Sequence, residues 1–66
     1  MQRKEVINRL RRLQGDRTQG ALAAELKVSE GHLSQVFAGE KDPGPRILLA
    51  MKPPLRKRET EYEEVR

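Results

Sequence analysis

The residues able to do chemistry in this 66-residue chain are chiefly its fourteen Lys and Arg, set against ten Asp and Glu. They are spread unevenly. Residues 1–58 hold thirteen of the cations and six carboxylates, a net of +7, whereas residues 59–66 hold one Arg and four Glu, a net of −3. A body of this polarity suits a polyanion, since a uniformly solvated surface would mix the signs more evenly. On charge alone, cations that merely keep a small protein soluble fit equally well, so the elements that carry them decide. Catalytic chemistry is poorly supplied. There is one His and no Cys, no Gly-rich phosphate loop, no His-x-x-x-His pair and no Ser/His/Asp set of workable geometry. Neither a disulfide framework nor a thiolate zinc site is available, and no metal or cofactor is expected.

The run Thr18 to Gly39, TQGALAAELKVSEGHLSQVFAG, supplies those elements. Leu22 and Leu26 are four apart, and Leu33, Val36 and Phe37 sit at i, i+3 and i+4, so each segment has one apolar stripe at the helical period. Only Lys27-Val28-Ser29 lies between them, with Val28 as the plug of a tight turn and Ala23 small enough for a close crossing. Thr18 caps one helix, Gln19 to Leu26, and Ser29 caps the next, Glu30 to Ala38, which Gly39 stops. A pair held this tightly can push its second helix forward into a DNA major groove.

Before the pair, a helix from Gln2 to Gln14 buries Val6, Leu10 and Leu13, with Ile7 beside them, and Gly15 ends it. After it, Asp42-Pro43-Gly44-Pro45 breaks the chain, and a fourth helix from Pro45 to Met51 brings Ile47, Leu48 and Met51 to the core. Lys52-Pro53-Pro54 ends that helix. In the remainder, LRKRETEYEEVR, Tyr62 and Val65 are three apart and fit a helix, whereas Thr60, Tyr62 and Glu64 alternate and fit a strand. The expected division is a DNA-binding unit over 1–52 and a tail over 53–66. Sixty-six residues make one thin core. The longest apolar run, Ile47 to Met51, is far below the ~20 residues of a membrane span, and MQRKEVINRL lacks a signal-peptide core. A soluble, cytoplasmic protein without enzyme activity is expected.

Taken together, these residues resemble the phage repressor/Cro-type helix-turn-helix family, lambda-repressor-like, over roughly residues 5–51. The resemblance rests on Thr18-Gln19, Leu22-Ala23 and Leu26-x-Val28-Ser29. It continues through Leu33-Ser34, Val36, Gly39, Pro43 and Ile47-Leu48-x-Ala50-Met51. It implies an all-α fold of four short helices, with a short C-terminal strand as an addition. The family places Gly where this chain has Lys27, because the backbone there takes positive φ, a conformation that costs Lys roughly 1 kcal/mol relative to Gly. Pro53-Pro54 stands where many members have a fifth helix. This is similar to the smallest, Cro-like members, in which an extended C-terminal segment pairs the subunits.

Carried over by motif position, the resemblance implies that Glu30, Gly31, Ser34 and Gln35 face base edges. The Gln35 amide suits adenine N7 and N6, and Glu30 suits cytosine N4 or, equally, the positive end of its own helix. Gly31 permits close approach. Backbone phosphates fall to Thr18, Gln19 and Ser29 at helix starts, with His32, Arg17, Lys41 and Arg46. Dimer contacts are expected from Leu55, Thr60, Tyr62 and Val65. In that arrangement a strand over Glu59–Val65 pairs with its two-fold mate and Tyr62 covers the partner's core.

The expected function is sequence-specific binding of double-stranded DNA at a pseudo-palindromic operator, as a homodimeric Cro-like repressor without a small-molecule ligand. With no second domain for sensing or activation in the sequence, repression by blocking polymerase is the expected mode. The rival is a protein–protein module such as an antitoxin, whose acidic tail, Glu59 to Arg66, folds on binding a partner.

Overall fold

The computed structural model describes residues 1–65. Four helices come first: α1 (Arg3–Gln14), α2 (Gln19–Leu26), α3 (Glu30–Phe37) and α4 (Pro45–Ala50). A β-hairpin follows, β1 (Leu55–Arg58) and β2 (Glu61–Glu64). The helices end where local chemistry stops them. Gly15 takes φ 56° and its N–H returns to the Arg11 carbonyl at 3.2 Å. Thr18 Oγ accepts from the Ala21 N–H at 3.1 Å, and Ser29 Oγ accepts from the His32 N–H at 3.0 Å, so each hydroxyl pairs one otherwise orphaned helix donor. Small shifts separate these bounds from the expected ones. Gln2 caps α1 instead of starting it, Ala38 caps α3, and Met51 is already extended at ψ 156°.

Lys27 lies in the left-handed region at φ 60°, ψ 40°. Its turn is stabilised by the Val28 N–H donating to the Ala23 carbonyl at 3.1 Å, and Val28 packs against the core. Those contacts offset the cost of a Cβ in that conformation. The positive φ inferred from the family pattern is therefore present without the glycine.

Twelve side chains form one buried cluster that draws on every element. It includes Val6 and Leu10 of α1, Leu22, Ala23 and Leu26 of α2, Leu33 and Val36 of α3, and Ile47 and Leu48 of α4. Met51, Leu55 and Tyr62 complete it. Each fully buried Leu or Val contributes about 1.5–3 kcal/mol by leaving water, and no buried side-chain polar atom in the described residues lacks a partner.

The tail departs from the expectation. Its acidic strand pairs with β1 of the same chain, antiparallel, with Leu55 opposite Glu64 and Arg58 opposite Glu61. Tyr62, 2 % exposed, fills its own core and not a partner's. Charge explains the preference. Arg56 faces Glu63 and donates to it at 2.6 Å, and Arg9 of α1 holds Glu64 at 3.0 Å. A Glu-rich strand paired with itself would instead oppose like charges. The outer side of β2 is met by Met1, whose carbonyl accepts from the Tyr62 N–H at 2.8 Å.

Candidate nucleic-acid interface

Leu33 and Val36 anchor α3 in the core, while Phe37 is half-buried. The opposite face of α3 carries Gly31 and Ser34, both exposed, with the half-buried Gln35 and His32 at its margins. Among the described residues, no hydrogen bond engages the side chains of Ser34, Gln35 or His32, so their donors and acceptors remain available. Gly31 is not required by the fold: a Cβ there would meet nothing within 4 Å. The small residues let another molecule's polar edges come close to the α3 backbone.

Glu30 is placed differently from the other three residues expected at base edges. Its carboxylate folds over the first turn of α2, where a Cβ on Gly20 would lie 3.3 Å from Oε2. Since Glu30 is also the first residue of α3, its carboxylate lies close to the starts of two helices. The hydroxyl oxygens of Thr18 and Ser29 each accept a capping bond, and their O–H groups are left to donate outward. Gln19 is half-buried in the first turn of α2, at the end of the helix that attracts anions.

The flanking cations divide into free and committed ones. Lys41 is exposed, and no carboxylate among the described residues lies within salt-bridge distance of it. Its N–H and that of Glu40 both return to the Gln35 carbonyl, at 3.3 and 2.9 Å, which wraps the loop over the end of α3. Arg17 is committed: it donates to the Leu13 and Gln14 carbonyls at the end of α1 and pairs with Glu25. Arg46 donates from Nη1 to the Lys27 carbonyl at 2.8 Å, tying the start of α4 to the α2–α3 turn. His32 approaches Gly44, the N-cap of α4.

Of the residues expected at a dimer contact, Leu55 and Tyr62 are interior, while Thr60 and Val65 are exposed. Two features escaped the sequence reading. Asp42 accepts from Arg3 at 2.8 Å and from Lys57 at 3.0 Å, joining α1 and the hairpin to the loop after α3. The bonds from Lys57 and Arg3 hold its carboxyl below the usual range, and Asp42 in turn raises the Lys57 ammonium. Burial, followed by the negative charge of Asp42, pushes the Tyr62 phenol up. Secondly, the Arg11 guanidinium stands 5.4 Å over the Phe37 ring, joining α1 to the end of α3. Its signal was the Lys4, Ile7, Asn8, Arg11 spacing, which puts those residues on one helix face.

Among the described residues, no cluster of His, Cys, Asp and Glu could hold a metal ion, and no helix is long and apolar enough to cross a membrane. A family model described as helix-turn-helix matches residues 7–51, more than half of the chain. No curated protein and no solved structure gives a match.

Proposed function

The chain belongs to the helix-turn-helix family of repressor-type DNA-binding regulators, and on that premise we propose that it is a Cro-like repressor acting in the cytoplasm. It binds a pseudo-palindromic operator in double-stranded DNA as a homodimer, with α3 in the major groove. The observation that carries this reading is the outward face of α3, where Ser34 and Gln35 have unengaged polar groups beside a glycine that the fold does not need. Gln35 reads adenine through its amide, and Ser34 reaches a base or a phosphate. Gln19, with the O–H groups of Thr18 and Ser29, meets the backbone, joined by Lys41 and His32. Arg17 and Arg46 can add charge there only by leaving or sharing their carbonyl partners. Glu30 contributes chiefly by positioning the two helix ends.

In the dimer, two copies of α3 lie about one DNA turn apart, roughly 34 Å. Since Leu55 and Tyr62 are interior, a contact through the hairpin would use its exterior, where Thr60 and Val65 are exposed. Repression follows from occupancy of the operator, and neither catalysis nor a small-molecule ligand enters the scheme. The rival, a protein–protein module such as an antitoxin, would present its acidic tail to a partner; here Glu61–Glu64 of that tail pairs with β1, and Tyr62 is core. Selection of bound sites from a random duplex pool tests the proposal. Enrichment of a two-fold sequence with half-sites one turn apart is expected, and recovery of unenriched DNA would contradict it.

A further inference from the structure

The described Lys and Arg residues fall into two groups. Arg3, Arg9, Arg12, Arg17, Arg56, Lys57 and Arg58 each lie within 4 Å of a carboxylate. Lys4, Arg11, Lys27, Lys41, Arg46 and Lys52 do not. Three of the second group lie in or beside the helix pair, at the α2–α3 turn, in the loop after α3 and at the start of α4. Lys4 and Arg11 are on α1, seven residues apart and so on one face, with Asn8 between them.

That face borders a groove of about 490 Å³ whose other wall is the end of α3, from Phe37 to Gly39. The loop leaving this wall leads directly to Lys41. The groove thus adjoins the loop that carries Lys41, two residues beyond Gly39. Arg11 is also pre-placed. Its guanidinium rests over Phe37, which limits the freedom it would lose on binding, while the donors of its fork remain unpaired among the described residues. Of the carboxylates in the adjoining loop, Asp42 is already occupied by Arg3 and Lys57, and Glu40 pairs with neither Lys4 nor Arg11.

We infer that Lys4 and Arg11 form a second phosphate-binding strip, which grips the duplex backbone beside the stretch met by Lys41. The inference rests on the DNA-binding reading above. The ligand is the phosphodiester backbone, because two cations about 10 Å apart along a helix, with an amide between them, match a row of single charges. Arg11 provides a forked donor and Lys4 a point charge. Neither reads sequence, so the strip strengthens binding to every duplex alike.

The test measures binding of a fluorescent duplex of arbitrary sequence to the full chain at a series of salt concentrations. Lys4→Gln, Arg11→Gln and the double variant are compared with Lys52→Gln, an unpaired cation outside this groove. Each lost phosphate contact should reduce the log–log salt slope by about 0.9 per protomer, so the double variant should lose about 1.8 and Lys52→Gln close to none. Arg11→Lys should keep the slope. If Arg11→Gln disturbs the fold by uncovering Phe37, Lys4→Gln still decides, because its side chain holds no other residue in place. An unchanged slope for Lys4→Gln would overturn the strip and leave these cations to an acidic protein surface. If the unaltered chain shows no salt-dependent duplex binding, the DNA-binding reading fails, and the strip with it.

Discussion

Lys57, on the first strand of the hairpin, donates from Nζ to Oδ2 of Asp42 at 3.0 Å, across to the loop that leaves α3. Arg3 holds the other carboxylate oxygen at 2.8 Å. One carboxylate thus links the start of α1, the loop after α3 and the hairpin. The segment ending in Lys41 is set by a contact that belongs to the fold and not to the DNA.

This link has a pH signature. The folded-state carboxyl of Asp42 lies below its unfolded value of about 3.9, through the hydrogen bonds from Lys57 and Arg3. Its contribution is present above about pH 4 and is lost as pH falls through the lower, folded value. Denaturant melts from pH 7 to pH 2 should show Asp42→Asn less stable near neutrality and less sensitive to acid than the parent. Parallel acid profiles for the two proteins would refute the link.

Gly31 tests the face of α3 directly. Because a Cβ there meets open space, Gly31→Ala should stabilise the free chain by up to ~1 kcal/mol. On the selected operator the added methyl should instead cost about 1–3 kcal/mol, as overpacking of a close contact does. Thermal melts and operator titrations of the same variant check both signs. Equal or tighter binding would show that α3 does not approach the bases at this position.

Much of this arrangement is legible in the sequence, and the failures have physical causes. The α2–α3 pair reads clearly because periodicity, Thr18, Ser29 and Gly39 all point the same way. The positive φ at Lys27 is legible only through the family pattern, since Lys gives no local sign of it. The hairpin is hidden because its tight connection, Glu59-Thr60, contains neither Gly nor Asn, and the positive φ of 57° falls on Glu59. Without a turn signal, Leu55–Arg58 looks like a basic linker and the strand after it lacks a visible mate. Arg46 reads as a free surface cation because its acceptor is a main-chain carbonyl. Arg17 does so because it joins two carbonyls to the Glu25 carboxylate, eight residues away on α2, contacts that charge patterns along the sequence do not reveal.

Tyr62 should behave as a core residue. Tyr62→Ala should cost about 3–5 kcal/mol, in the range of other large aromatic truncations. A domain this small seldom has more than ~3–5 kcal/mol to lose. Deleting residues 59–66 should therefore abolish cooperative unfolding. A truncated chain that melts cooperatively as a folded monomer would contradict the placement of Tyr62.

Base reading and backbone binding should separate by mutation. Gln35→Ala should weaken operator binding by roughly 1–3 kcal/mol while leaving nonspecific duplex almost unaffected. Lys41→Ala should weaken all sequences alike and flatten the salt dependence. Paired titrations on operator and scrambled duplex distinguish them. If each variant weakens both duplexes equally, α3 is not the reading helix.

The central claim is that this chain binds duplex DNA by neutralising its phosphates, and salt-dependent affinity tests it most directly. With about three to five phosphates met by each protomer, a dimer should give a log–log slope on the order of −5 to −9 between low and physiological salt. A slope near zero, measured on protein whose melt shows the fold intact, would contradict it.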